Sequence, residues 1–281
     1  MLPLLFAAAL TLTGIQLQGV KVDMISSVAA APDGTLYLLQ RGKDADPVIV
    51  VDRQGRVLRS WGKGMYEIPH SIRLDAQGHV WTVDAASSMV YEFSRDGKKL
   101  MEIAVGGQPA NARSAFKGTT DIAFGSQGQL YISDGYANAR ILEYTRDGKP
   151  VRAWGAPGKG PGEFNLPHGI AIDHATGTLF VADRENGRIQ KFDLEGKYLG
   201  EFPGNGNKTF SLDFVQGALW AGMQPRDQPN GAPGWIMKLD PKTGKVLDKV
   251  DSPGHHSVSV TRQAEVFTGT RPDRLLWFRR R

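Results

Sequence analysis

The chain contains no cysteine among its 281 residues. That excludes disulfides, thiolate metal sites and thiol nucleophiles together. No apolar run reaches the roughly 20 residues that a membrane-spanning helix needs. No stretch of useful length repeats apolar residues at helical spacing, which argues against a helical bundle or an α/β domain. The net charge is only +5, from 34 basic and 29 acidic side chains. The two signs are interspersed, without a basic stripe, so a nucleic-acid partner is not expected. What the chain has in excess is glycine, 34 of 281 residues, about 12% against a usual share of roughly 7%. Many glycines imply many tight turns and many short strands.

The apolar residues are ordered accordingly. A short unit recurs: a polar or small residue, an alternating apolar strand, a turn and a second strand. It runs SSVAAAPDGTLYLLQR from Ser26, HSIRLDAQGHVWTVD from His70, TDIAFGSQGQLYISD from Thr120 and HGIAIDHATGTLFVAD from His168. Two diverged copies follow, FSLDFVQGALWAG from Phe210 and HSVSVTRQAEVFTGT from His256. The starts at 26, 70, 120, 168, 210 and 256 are separated by 44, 50, 48, 42 and 46 residues. After each hairpin come a third strand, a polar turn and a fourth strand, as in RILEYTRDGKP followed by VRAWG. Asp-Gly and Glu-Gly pairs at those turns are hairpin chemistry.

Six units of four strands at this period predict an all-β, six-bladed β-propeller; the WD-repeat signature is absent. Only three strands follow His256, so the ring closes by pairing an N-terminal strand with the C-terminal one, which removes an open edge. Residues around 16–23, in the stretch IQLQGVKV that starts at Ile15, are the expected closing strand. The preceding MLPLLFAAALTLT reads as the apolar core of a signal peptide. Residues 1–15 are therefore set apart from a single propeller over 16–281. A periplasmic or secreted monomer without a stable membrane span is expected.

The first residue of each unit is Ser26, His70, Thr120, His168, Phe210 and His256. Histidine holds the second, fourth and sixth places. Innermost strands line a propeller's channel, so equivalent positions in alternate blades of a six-fold ring face one another about the axis. Three imidazoles there form the ligand set of a metal centre with one position open, typical of catalytic zinc. Imidazole also suits copper, nickel and iron. The competing reading is three histidines that cap strands within the channel. His255 competes with His256 for the axial place; His79 and His174, in hairpin turns, are expected at the surface.

The units resemble NHL repeats. The segments IPHSIRLDAQGHVWTVD, YISDGYANARILEYTRDGK and LPHGIAIDHATGTLFVADRENGRIQKF resemble the lyase domain of peptidylglycine α-amidating monooxygenase, a peptidyl-α-hydroxyglycine α-amidating lyase. Weaker similarity runs from about Ile25 to Phe278. The resemblance implies zinc on His70, His168 and His256, Tyr136 of the SDGY motif as catalytic base, and Arg41 and Arg184 completing the catalytic set. It implies cleavage of the C–N bond of a small or peptide substrate ending in α-hydroxyglycine, giving an amide and glyoxylate. It also implies a structural calcium on the carbonyls of Val28 and Ile72 and on an aspartate that this chain replaces with Ser257. A neutral hydroxyl is a poor ligand for so hard a cation, which speaks against calcium here.

Other readings stay open from the residues alone. Arg184 has Asp183 and Glu185 as neighbours for an ion pair, Arg41 lies among surface charges, and Tyr136 could serve as inter-blade packing. A non-catalytic NHL propeller that binds protein partners, and a metal-dependent propeller hydrolase such as a lactonase, are the rival functions.

Overall fold

A computed structural model describes residues 10–106, 118–270 and 273–280. Every regular element in them is a strand, and the long strands are arranged as six four-stranded antiparallel sheets. These are the six blades of a β-propeller. No helix among the described residues is long and apolar enough to cross a membrane.

The innermost strands of blades 1 to 6 are Ile25–Ala30, Pro69–Leu74, Thr119–Phe124, Pro167–Asp173, Asn207–Val215 and Ser259–Val260. Blade 6 closes the ring. Its inner three strands come from the C-terminal end, and its outer strand is Leu10–Ile15, paired antiparallel with Arg274–Arg280. The closing strand thus lies upstream of residues 16–23, within the stretch 1–15 set apart from the sequence. The reason is legible afterwards: LTLTGI alternates leucine and threonine with period two and pairs in register from Leu10 against Arg280 to Ile15 against Leu275. The start of the apolar segment, residues 1–9, lies outside the described residues.

The core is not one centre but six seams. Each apolar cluster joins two adjacent blades, such as Ile25, Val28 and Leu36 of blade 1 with Phe267 and Leu275 of blade 6. Ala218 and Trp220 of blade 5 meet Val258 and Val266 of blade 6 in the same way. Both faces of each sheet are therefore buried, so inner strands such as Leu36–Gln40 and Leu130–Asp134 are buried throughout rather than alternating.

One irregularity recurs. In blades 1, 2, 3 and 5 the register between the two inner strands shifts at Ile25/Ser27, Pro69/Ser71, Thr119/Asp121 and Thr209/Ser211. Blade 4 shifts between Pro167 and Ile170. A bulge leaves one residue unpaired and re-aims its side chain. The residues it releases include Ser26, His70, Thr120, His168 and Phe210, the same unit-start positions that the repeat singled out.

Candidate metal centre

His70, His168 and His256 meet on the axis. Each contributes one ring nitrogen to a group whose atoms lie within 4.8 Å of one another. The rings stand edge to face, with centroids 4.6 Å apart for His70 and His256, 4.9 Å for His70 and His168 and 5.2 Å for His168 and His256.

Their other nitrogens follow one rule. The Nδ1–H of His70 donates to the Thr120 carbonyl at 2.6 Å, that of His168 to Phe210 at 2.5 Å, and that of His256 to Ser26 at 2.8 Å. The acceptor is always the unit-start residue of the next blade. Each carbonyl fixes its tautomer and turns the Nε2 lone pair inward, the second-shell arrangement that orients metal-binding histidines. Burial, reinforced by the neighbouring imidazoles and by Arg41, holds His70 well below the ordinary histidine range. Burial and then Arg184 do the same for His168. For His256, burial and Arg41 bring the value down to about 3. Neutral imidazoles with oriented lone pairs are what a metal ion requires, so the donor set fits a borderline cation such as zinc.

Tyr136 lies against two of the three nitrogens. Its hydroxyl lies 2.9 Å from His70 Nε2 and 3.3 Å from His168 Nε2. Burial raises its phenol, while Arg184 and Arg41 act to lower it. The Arg184 guanidinium stands 5.8 Å from the Tyr136 ring centre and 5.0 Å from that of Phe210, and its Nε bonds Glu185 Oε1 at 2.9 Å. The ion pair expected from the sequence and the place at the site therefore coexist, and Arg188 takes Asp183 instead at 2.8 Å. Arg41 donates from Nε to the Pro69 carbonyl at 3.0 Å, which anchors it over blade 2.

Arg41, Tyr136, Arg184 and His256 line one cavity of about 230 Å³. The sequence reading did not assign Met24, Asn230 or Thr270 to it, and Phe210 and His255 entered that reading only through their register. All five share this wall. Asn230 sits in a loop between two strands of blade 5, where no repeat signal exists to mark it.

The calcium position is different. Ser257 Oγ is already engaged, accepting the Val28 N–H at 3.2 Å. Next to it in the channel runs an internal ion network. Arg73 bonds Asp121 through Nε at 3.0 Å and through Nη2 at 2.5 Å, and also the Leu212 carbonyl at 2.9 Å. Asp121 further accepts from the Ser71 hydroxyl and the Ile170 N–H, and Asp213 from the Val260 N–H. A protein cation paired with the buried Asp121 carboxylate occupies this layer, and the cavity beside it is about 10 Å³. The Ser257 hydroxyl, standing where the resemblance implies an aspartate, thus accepts a backbone N–H.

Of the remaining histidines, His174 is exposed, as expected. His79 is not a plain surface residue. It is half-buried with Asp75 and Glu92, and Arg146 bonds both it and Glu92, neutralising the cluster from within.

Fold and site together define a six-bladed propeller with a three-histidine centre on its axis. Residues 111–204 match a family model described as a 6-bladed beta-propeller. The chain is similar to mouse peptidyl-glycine alpha-amidating monooxygenase, 29% identical over 268 residues that cover 87% of this chain and 27% of that protein. It is 32% identical over 181 residues to Drosophila melanogaster peptidyl-alpha-hydroxyglycine alpha-amidating lyase 1, covering 58% of this chain and 33% of that one. The chain thus spans between a quarter and a third of these relatives' lengths. Among solved structures, a streptogramin B lyase superposes with a TM-score of 0.69 at 14% identity, over 97% of this chain and 98% of that chain. At that identity it shares the fold.

Proposed function

We propose that this propeller is a metal-dependent lyase that cleaves the C–N bond of α-hydroxyglycine-type substrates to an amide and glyoxylate. The observation that carries this reading is the set of three Nε2 lone pairs turned to one point, with the Tyr136 hydroxyl against them.

His70, His168 and His256 would hold the metal, zinc being the best match to three neutral imidazoles. Bound there, it supplies a Lewis acid that makes an alcohol more acidic. The chain's own residues do the rest. Tyr136 Oη takes the proton of the substrate hydroxyl. As the C=O bond forms, the C–N bond breaks and its electron pair leaves with nitrogen, which takes up a proton that Tyr136 returns. A free phenol has a pKa of about 10. The two guanidiniums act against the effect of burial and favour the tyrosinate that a base requires. Arg41 and Arg184, on the same cavity wall, pair with the substrate carboxylate and offset charge developing during cleavage.

A lactonase-type centre relies on carboxylate and Asn ligands, and the axial cluster consists of three imidazoles without a carboxylate. The N-terminal apolar residues support a periplasmic or secreted location.

The test is elemental analysis of the purified protein beside a His168→Ala variant, followed by a glyoxylate assay on both. About one metal per chain and glyoxylate release, each lost in the variant, are expected. A wild-type protein that takes up no zinc contradicts the reading.

A further inference from the structure

Glu185 stands between two cations at the edge of the cavity. Its Oε1 accepts the Arg184 Nε–H at 2.9 Å, and its Oε2 lies 3.3 Å from Lys208 Nζ. The backbone fixes the carboxylate in that place. The Glu185 N–H donates to the Asn165 carbonyl at 3.0 Å, and the Glu185 carbonyl accepts from Arg226 at 2.7 Å. Lys208 Nζ also reaches Asn230 Oδ1 at 3.4 Å, and Asn230 lines the cavity with Arg41 and Arg184.

Keeping Lys208 there is costly. Its side chain is only 13% exposed, and ordering so long a chain forfeits more rotamer freedom than most side chains lose. The charges give a reason for it. Arg184 and Glu185 alone are a neutral pair: the carboxylate aims the guanidinium but cancels the charge an anionic ligand would feel. With Lys208 the group holds two cations to one anion, a net charge of +1. An arginine fork takes a carboxylate through two parallel N–H···O bonds. Glu185, already on Nε, would compete for those donors if nothing held its second oxygen.

We propose that Lys208 is a positioning residue of the substrate site: it holds Glu185 by Oε2, keeps that carboxylate from closing over the Arg184 fork, and preserves the positive charge that selects ligands with a free carboxylate over their neutral esters. The proposal rests on the lyase reading above, in which Arg184 pairs with the substrate carboxylate.

The experiment measures calorimetric binding of hippurate, an unreactive N-benzoylglycine, and of its methyl ester. The proteins are the metal-loaded wild type, Lys208→Met, Lys208→Arg and the double variant Lys208→Met/Glu185→Gln. Lys208→Met should weaken hippurate about 5–10-fold, the scale of one unit charge lost beside a partly buried site, with no change for the ester. Lys208→Arg keeps the charge and should keep the affinity. Glu185→Gln removes the anion yet leaves an acceptor for Arg184 Nε, so the double variant should regain most of the hippurate affinity. With N-benzoyl-α-hydroxyglycine as substrate, Lys208→Met should raise KM by a similar factor and change kcat little. Hippurate binding that is absent in the wild type or unaltered by Lys208→Met overturns the proposal and leaves the lyase reading to the glyoxylate assay. So does an equal loss for the ester, or a double variant as weak as Lys208→Met. The expected binding pattern without glyoxylate from the wild type contradicts the lyase reading and leaves Lys208 its role at the carboxylate site.

Discussion

The Nδ1–H of His256 donates to the carbonyl of Ser26 at 2.8 Å, joining residues 230 apart in sequence across the seam between the last and first blades. The same bond links His70 to Thr120 and His168 to Phe210. Each imidazole is thus oriented by the blade that follows it, and the centre exists only when the ring is closed.

Closure depends on Leu10–Ile15. A chain beginning at Gln16 lacks that outer strand and exposes the edge of Arg274–Arg280. Its melting temperature is expected to fall by about 5–10 °C, and its metal to be lost at lower chelator concentration than from the longer chain. Thermal melts with and without a chelator check both. Equal melting of the two chains would show that the strand does not contribute to closure.

Tyr136→Phe removes only the hydroxyl that faces His70 and His168. Turnover is expected to fall by about 100-fold or more, the usual reach of a general base, while the metal content stays at the wild-type level. Stopped assays of glyoxylate beside elemental analysis separate the two effects.

The channel network gives a pH dependence with a definite sign. Burial, only partly offset by Arg73, raises the Asp213 carboxyl above its ordinary value. The folded protein therefore holds this proton at pH values where the unfolded chain has released it. Stability from this group is present below the unfolded value near 3.8 and declines as pH rises through the higher folded value. Asp213→Asn removes the titration. The stability of wild type relative to the variant should fall as pH rises above about 4 in urea unfolding. A relative stability that rises over that range contradicts the assignment.

Arg73 is the cation beside Asp121 in the channel, and calcium is not expected to bind there. Added calcium is expected to leave the wild-type melting temperature unchanged. Arg73→Met strands Asp121 in the channel and should cost about 3–5 kcal/mol, as for a buried pair broken from one side. Denaturant unfolding of the two proteins measures it.

Much of this was legible in the sequence because a propeller repeats itself. The period near 45 residues defined the blades, and register alone aligned His70, His168 and His256. The closing strand was misplaced because LTLTGI continues an apolar run, and alternation over six residues is hard to see inside it. The bulges at the unit starts could not be read at all, since they are backbone events that no residue type demands. Arg73 escaped notice for a related reason: its partners Asp121 and Asp213 lie on other blades, 48 and 140 residues away. His255 was seen only as a competitor for the axial place. Its ring packs against Gly222, which the strand pattern alone does not flag.

The most direct test of the account is product analysis with N-benzoyl-α-hydroxyglycine and the zinc-loaded protein. The account predicts benzamide and glyoxylate in equal amounts, with both absent when His168→Ala replaces the wild type. Unchanged substrate after incubation with fully loaded wild-type protein would contradict it.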